Sequence, residues 1–158
     1  MHEPSSPVSA AVSPPPAFVL PVRVYYEDTD AGGVVYYANY LRFCERARTE
    51  CLRTLGFEQG QILKDGGPVF VVRSVRADYL SPARLDDSLT ITSTISNLRH
   101  ASVCFLQRIT RSDTLLFTAE IKIACVSVST GRPQPWPDAL RDRFHAQLPP
   151  NPAPAPRP

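Results

Sequence analysis

Residues 36–57 read YYANYLRFCERARTECLRTLGF. Within this stretch Tyr37, Tyr40, Leu41, Cys44, Ala47, Cys51 and Leu55 recur at spacings of three and four, the stripe of an amphipathic helix. Glu45 with Arg48, and Arg46 with Glu50, fall at i,i+3 and i,i+4 on the polar side, where opposite charges support a helix. Gly56 follows the last periodic residue, the position of a left-handed C-terminal cap. One long helix is therefore expected near the start of the foldable chain.

Around it the period changes from 3.6 to two. Residues 18–27 (FVLPVRVYYE) are largely β-branched and aromatic and read as a first strand. After the helix, 57–67 reads as a loop with room for one helical turn, and four strand-like runs follow. Residues 68–80 place Val69, Val71, Val75, Ala77 and Tyr79 on one face. Residues 87–98 alternate through Leu89, Ile91 and Ile95, residues 101–111 through Val103, Phe105 and Ile109. Residues 114–128 alternate through Leu115, Phe117, Ala119, Ile121, Ile123 and Cys125. The short links NLRH and RSDT suit hairpins, and 138–147 has the length of a short terminal helix. The order β-α-β-β-β-β predicts an α+β domain: a five-stranded antiparallel meander curled around one helix. A single helix cannot cover both faces of such a sheet, so a second copy of the chain is expected against a free edge or face, with twofold symmetry as the simplest case.

Composition bounds the rest. The chain has 158 residues and 17 prolines, five of them in 1–17 and six in 149–158. Those two tails cannot bury enough apolar surface to order themselves, which leaves 18–148 as one domain. The net charge of +2, from 17 basic and 15 acidic side chains, argues against a nucleic-acid partner. No apolar run approaches the roughly 20 residues needed to cross a bilayer, and the N-terminus lacks a signal-peptide pattern. Cys44, Cys51, Cys104 and Cys125 show neither disulfide nor metal-ligand spacing, and buried thiols in a reducing cytoplasm account for them.

The helix is preceded by EDTDAGGVV, residues 27–35. Asp28 and Asp30 resemble a cation clamp, but a calcium loop counted from Asp28 would need an oxygen ligand where Gly32 stands and Glu where Asn39 stands. An aspartyl-nucleophile phosphatase fits neither Gly32 nor the meander, and the phosphate-cradling G-x-x-x-x-G-K pattern is absent. What remains is a carboxylate beside a helix N-terminus. There the first N–H groups lack intrahelical partners and, with the helix dipole, can hold a developing oxyanion near Tyr37. Gly32 and Gly33 allow a sharp turn and close approach of a ligand to the main chain. Such parts suit acyl transfer without a metal or organic cofactor. On residue pattern alone Asp28 reads as a cap, and Asp30 stands between a cap and a reacting group.

At this point the chain resembles a known family. VRVYYEDTDAGGVVYYANYLRFCERARTECLRTLGF, continued by VRSVRADYLSPARLDDSLTITSTI, is similar to the 4-hydroxybenzoyl-CoA thioesterase branch of the hotdog-fold superfamily, most of all to the acyl-CoA thioesterases associated with the Tol–Pal system. The likeness implies a sheet wrapped around a central helix, assembled as a homodimer or homotetramer. It implies acyl-CoA as substrate, with Asp30 as nucleophile or general base and the Tyr37 backbone N–H as oxyanion donor. Position 37 is often His in the Tol–Pal-associated members; Tyr37 keeps the main-chain donor but removes a side-chain proton shuttle near neutral pH. Gly33, Val34, Asn39 and Arg84 are the candidate substrate contacts, with Asn39 also able to brace the first helical turn. Arg73, Arg76, Arg99 and His100 are further candidates for coenzyme A phosphates. Acyl-carrier protein is a candidate partner, and a non-catalytic module binding acyl groups or envelope proteins is the second reading. A hydratase or dehydratase would want a loop histidine, and none lies between His2 and His100. Cys44 and Cys51 read as core, Glu45 and Glu50 as ion-paired, and His100 and His145 as lacking triad partners.

Overall fold

The computed structural model describes residues 16–150, so the two proline-rich tails fall almost entirely outside it. Among the described residues the order is β1 (Phe18–Arg23), α1 (Tyr37–Thr54), α2 (Gln59–Lys64), β2 (Val69–Tyr79), β3 (Ser88–Leu98), β4 (Ser102–Arg111), β5 (Thr114–Val126) and α3 (Asp138–Ala146). A single 3-10 turn, Tyr26–Asp28, replaces the last part of the expected first strand. The five strands make one antiparallel sheet in the order β1-β3-β4-β5-β2.

Helix α1 ends as its sequence predicts. Gly56 takes φ +95° and donates to the Arg53 carbonyl at 2.9 Å, and the Phe57 N–H reaches the Leu52 carbonyl at 2.9 Å. That pair of bonds is the Schellman closure. The buried face is wider than the expected stripe: Asn39, Phe43, Arg48 and Leu52 are buried beside Tyr40, Cys44, Ala47 and Cys51. A sheet that curls around the helix covers more of it than a flat one would. Tyr37, in the first turn beyond the sheet, is 62% exposed instead of buried. On the polar side Glu45 pairs with Arg48, and Glu50 with Arg53 rather than with Arg46.

Arg48 is the departure with most consequence. It is buried, and its Nη1 donates to Gln107 Oε1 at 2.7 Å. Gln107 Nε2 in turn donates to the Cys44 carbonyl at 3.0 Å and to Ser93 Oγ at 2.8 Å. Helix α1 is therefore fixed over β3 and β4 by a polar bridge whose members satisfy one another, as burial requires.

Two further corrections concern β2. The expected meander holds only for β3-β4-β5; β2 crosses to the far edge and pairs with β5. The short turns after β3 and β4 force hairpins, whereas the segment 80–87 is long enough to run across the ends of β4 and β5. The register of β2 also shifts between Val72 and Ser74. This bulge flips side-chain parity. Phe70 and Val72, opposite Cys125 and Ile123, therefore face the helix side together with Val75, Ala77 and Tyr79, while Val69 and Val71 face away.

The core lies between the concave face and the helices. Trp136, Leu140 and Phe144 extend it past the end of α1, with Trp136 against Phe70 and Phe144 edge-on to Phe105. Val72, Val75 and Tyr79 on β2 nonetheless stay more than two-fifths exposed, and among the described residues nothing pairs with the outer edge of that strand. No helix of the described chain is long and apolar enough to cross a membrane.

Candidate active site

Two loops meet at the N-terminus of α1. The first, residues 24–36, is folded by its own carboxylates. Asp28 is 7% exposed; its Oδ2 accepts the Tyr25 N–H at 2.8 Å, and its carbonyl accepts the Tyr36 N–H and Asn39 Nδ2, both at 2.9 Å. Asp28 and Asn39 thus clamp the entry to the helix from inside. The second loop, 80–87, crosses above them. The Val35 N–H donates to the Ala83 carbonyl at 2.8 Å, and the Tyr40 hydroxyl accepts the Ala83 N–H at 3.0 Å. Arg111 holds that loop from below through Asp87 (2.8 Å) and the Pro82 carbonyl (3.1 Å). Burial raises the pKa of Asp87, but the Arg84 N–H and the Arg111 guanidinium outweigh it and hold the carboxyl below its ordinary value.

Asp30 sits where the first loop turns. Its carbonyl accepts the Gly33 N–H at 3.0 Å, its N–H reaches the Val34 carbonyl at 2.9 Å, and Gly33 takes φ +77°. The carboxylate lies outside in solvent. Oδ1 accepts the Gly32 N–H at 2.8 Å, and a Cβ on Gly32 would come within 3.1 Å of that oxygen. The glycine is thus what lets the carboxylate lie back on its own loop. Oδ2 has no partner among the described residues.

The helix start supplies complementary polarity. Tyr36 precedes α1 with φ −59° and ψ 132°, makes no side-chain cap, and no acid occupies the first turn. Among the described residues the N–H groups of Tyr37 and Ala38 bond to no acceptor. Two free donors at the positive end of an 18-residue helix form an anion-binding position. Beside them an open groove of about 340 Å³ is lined by Val34, Tyr37, Tyr40, Tyr79, Leu80 and Pro82, among others. Tyr79 donates to the Tyr37 carbonyl at 2.9 Å, and burial, followed by the neighbouring Tyr37 and Tyr40, pushes its phenol pKa up, so it remains a neutral donor.

Asp30, Gly33, Val34 and Tyr37 are therefore neighbours at one loop and helix start. Asn39 faces inward, its amide committed to Asp28. Arg84 is exposed on the second loop, and Arg73, Arg99 and His100 lie at the opposite end of the sheet. Tyr79 escaped the sequence reading as a site residue; its only signal there was inward parity at a strand end. Cys44 is no nucleophile in waiting, since burial pushes its pKa up to about 12. Among the described residues no three His, Cys, Asp or Glu side chains gather as metal ligands.

Comparison with known proteins bears on this arrangement. Residues 24–144 match the family model of the thioesterase-like superfamily. The acyl-CoA thioesterase YbgC of Haemophilus influenzae is 47% identical over 128 residues, covering 81% of this chain and 94% of the relative. Its Escherichia coli O157:H7 counterpart, an acyl-CoA thioester hydrolase, is 48% identical over 80% of this chain and 95% of its own. Among solved structures, a probable thioesterase from Bartonella henselae superposes with TM-score 0.73 at 37% identity, over 77% of this chain and all of that one. A 1,4-dihydroxy-2-naphthoyl-CoA thioesterase from Synechocystis gives TM-score 0.77 at 23% identity, over 82% and 96% of the two chains, and supports the fold alone.

Proposed function

The chain belongs to the thioesterase-like superfamily of hotdog proteins, and from that membership we propose that it hydrolyses acyl-CoA thioesters to a carboxylic acid and the free thiol of coenzyme A. The observation that carries the assignment of roles is the pairing at the start of α1. Two unpartnered N–H groups lie at a helix N-terminus free of acids, and the Asp30 carboxylate is exposed on the loop that leads into it.

The thioester lies in the groove between Tyr37 and Tyr79, with its carbonyl oxygen toward the Tyr37 N–H. The donor is fixed before substrate arrives, so the negative charge that develops on that oxygen meets a dipole needing no reorganisation. Asp30 attacks the carbonyl carbon, giving an anhydride that water opens, or takes a proton from a water that attacks instead. In either course the sulfur leaves and is protonated to the thiol. Tyr79, through the Tyr37 carbonyl, holds the first helical residue in place. Gly33 and Val34 let the substrate approach the main chain, and Arg84 lies at the rim.

The active form is a twofold dimer, or a tetramer built from it, with the groove completed by the second subunit beside the uncovered strand β2. The four cysteines are free thiols, in keeping with a cytoplasmic enzyme. The test is release of free thiol from a panel of aromatic and aliphatic acyl-CoAs by the wild type and Asp30→Asn. Turnover on at least one substrate is expected, with a loss of about 10² to 10⁴ in the variant. Inactivity on every chain length, or full rate in Asp30→Asn, overturns the proposal.

A further inference from the structure

Tyr40 is 3% exposed, and its ring is fixed by its neighbours. It stacks on Phe117 at 5.2 Å with 25° between the planes, and Tyr79 stands edge-on to it at 5.4 Å. Three residues past Tyr37 on α1, its side chain leans back toward the helix N-terminus, as long side chains in a helix do. It ends where the two loops touch. The Ala83 N–H donates to its hydroxyl at 3.0 Å, and the Ala83 carbonyl accepts the Val35 N–H at 2.8 Å. Tyr40 also lines the groove shared by Val34, Val35, Tyr37 and Tyr79. The phenol oxygen thus accepts one bond, yet among the described residues no acceptor meets its proton. A tie to the loop needs only the oxygen. A buried hydroxyl with an idle proton calls for a partner, and the groove beside it is the place from which a ligand supplies one.

Building on the thioesterase reading, we propose that the Tyr40 hydroxyl is a second oxyanion donor, giving its hydrogen bond to the thioester carbonyl oxygen alongside the Tyr37 N–H. A carbonyl oxygen has two lone pairs, and the main-chain donor at the helix start engages one of them. When Asp30, or the water it activates, forms the new bond to carbon, the oxygen takes a full negative charge and both hydrogen bonds strengthen. The pair therefore acts on the transition state more than on the bound substrate. The proton stays on the phenol throughout. On collapse the C–S bond breaks, the sulfur leaves with its electron pair, and the oxygen returns to a carbonyl. The Ala83 N–H makes the phenol a stronger donor, since a hydroxyl that accepts a hydrogen bond is polarised toward giving one. Loop tie and catalytic contact are then one chain, from the Ala83 N–H through the Tyr40 O–H to the thioester oxygen. A phenylalanine would stack on Phe117 as well and could do neither.

The test reads the carbonyl itself. Carba(dethia) ketone analogues of benzoyl-CoA and hexanoyl-CoA, in which a methylene replaces the sulfur, carry an isotope-labelled carbonyl and are bound to the full chain. Infrared difference spectra record the C=O stretch, which every donor to that oxygen lowers. Tyr40→Phe moves the stretch up from its wild-type position. Placing 3,5-difluorotyrosine at position 40 keeps the Ala83 tie and the fold, strengthens the neutral phenol as a donor, and moves the stretch down. On acyl-CoA, Tyr40→Phe lowers kcat by about 10² and leaves KM little changed. A Tyr40 that only anchors the loop leaves the stretch alike in all three proteins and puts its loss into KM, and that result overturns the inference. So does a kcat for Tyr40→Phe equal to that of the wild type. A wild type that shows the shifts but hydrolyses no thioester sinks the thioesterase reading and leaves the Tyr40 contact standing. Turnover by the wild type with a stretch blind to position 40 sinks the Tyr40 assignment alone.

Discussion

Tyr37 offers the sharpest test at the scale of single residues, because its main chain and side chain can be separated. It is the first residue of α1, the position where proline fits a helix, and Tyr36 before it already has the extended ψ that a following proline demands. Tyr37→Pro therefore removes the N–H while keeping the helix. Measured against Tyr37→Ala, its thioesterase kcat is expected to fall by about 10² to 10³, the usual effect of losing one oxyanion donor, while Tyr37→Phe stays near wild type. Proline and alanine variants of equal rate would remove the main-chain donor from the mechanism. The two aspartates should likewise separate. Asp28→Ala leaves the Tyr25 amide without its acceptor and loosens the loop, costing about 1–2 kcal/mol in urea unfolding; Asp30→Ala, exposed at the turn, should cost activity and little stability. That split was legible in the sequence only for Asp28, whose reading as a cap needs no neighbours. The partial commitment of Asp30 to Gly32 appears only once the turn is built. Cys44 was legible as core from the helical period, and its thiol, raised to about 12 by burial, should resist iodoacetamide at pH 8. Cys104, the one cysteine that is only partly buried, should label first, and intact mass spectrometry of the native protein reads the order.

Elements were readable wherever a local period was uninterrupted. Helix α1, its glycine cap, and β3 to β5 follow from spacing alone, because each pattern is imposed by one buried face. What could not be read depends on contacts far apart in the chain. The bulge at Arg73 reverses the parity of half of β2, so a period-two count carried across it assigns Val71 to the wrong face. The crossing of β2 to the far edge is set by where segment 80–87 can be tied down, and its ties are Tyr40 from the helix and Arg111 from β4. The Arg48–Gln107–Ser93 bridge was hidden for the same reason, since its members are 59 and 14 residues apart. The tie at Asp87 has a pH signature. Its folded pKa lies below the unfolded value of about 3.9, so its stabilisation is complete above that value and lost as pH falls through it toward the folded pKa. Arg111→Gln should destabilise by about 1 kcal/mol or less near pH 7, the pair being partly exposed. The gap from wild type should close as pH falls below the unfolded value and through the folded one. A gap that keeps its size even where Asp87 is fully protonated would assign the effect of Arg111 to its bond with the Pro82 carbonyl instead.

At the scale of the molecule the protomer is unevenly covered. Helix α1 lies over β1 and β3, and α3 with Trp136 fills the space past its C-terminal end, yet the inner side of β2 carries Val72, Val75 and Tyr79 in solvent. Strand β1, the other edge, is six residues long and carries Pro21, both features that discourage pairing, whereas β2 offers eleven residues with neither protection. An exposed apolar strand of that length beside an open groove is the physical case for a second copy, and it gives a place to the dimer that the element order led us to expect. Val72→Lys/Val75→Lys tests it. Both side chains are more than two-fifths exposed in the protomer, so the lysines should leave its thermal unfolding nearly unchanged while placing four like charges across a twofold axis. The variant is expected to sediment as a monomer where the wild type sediments as a dimer or tetramer. Its kcat/KM on acyl-CoA should drop by about tenfold or more, because a half-built groove positions the thioester loosely. A monomeric variant with full activity would show that one chain suffices for the chemistry, and an unchanged sedimentation coefficient would move the subunit contact away from β2.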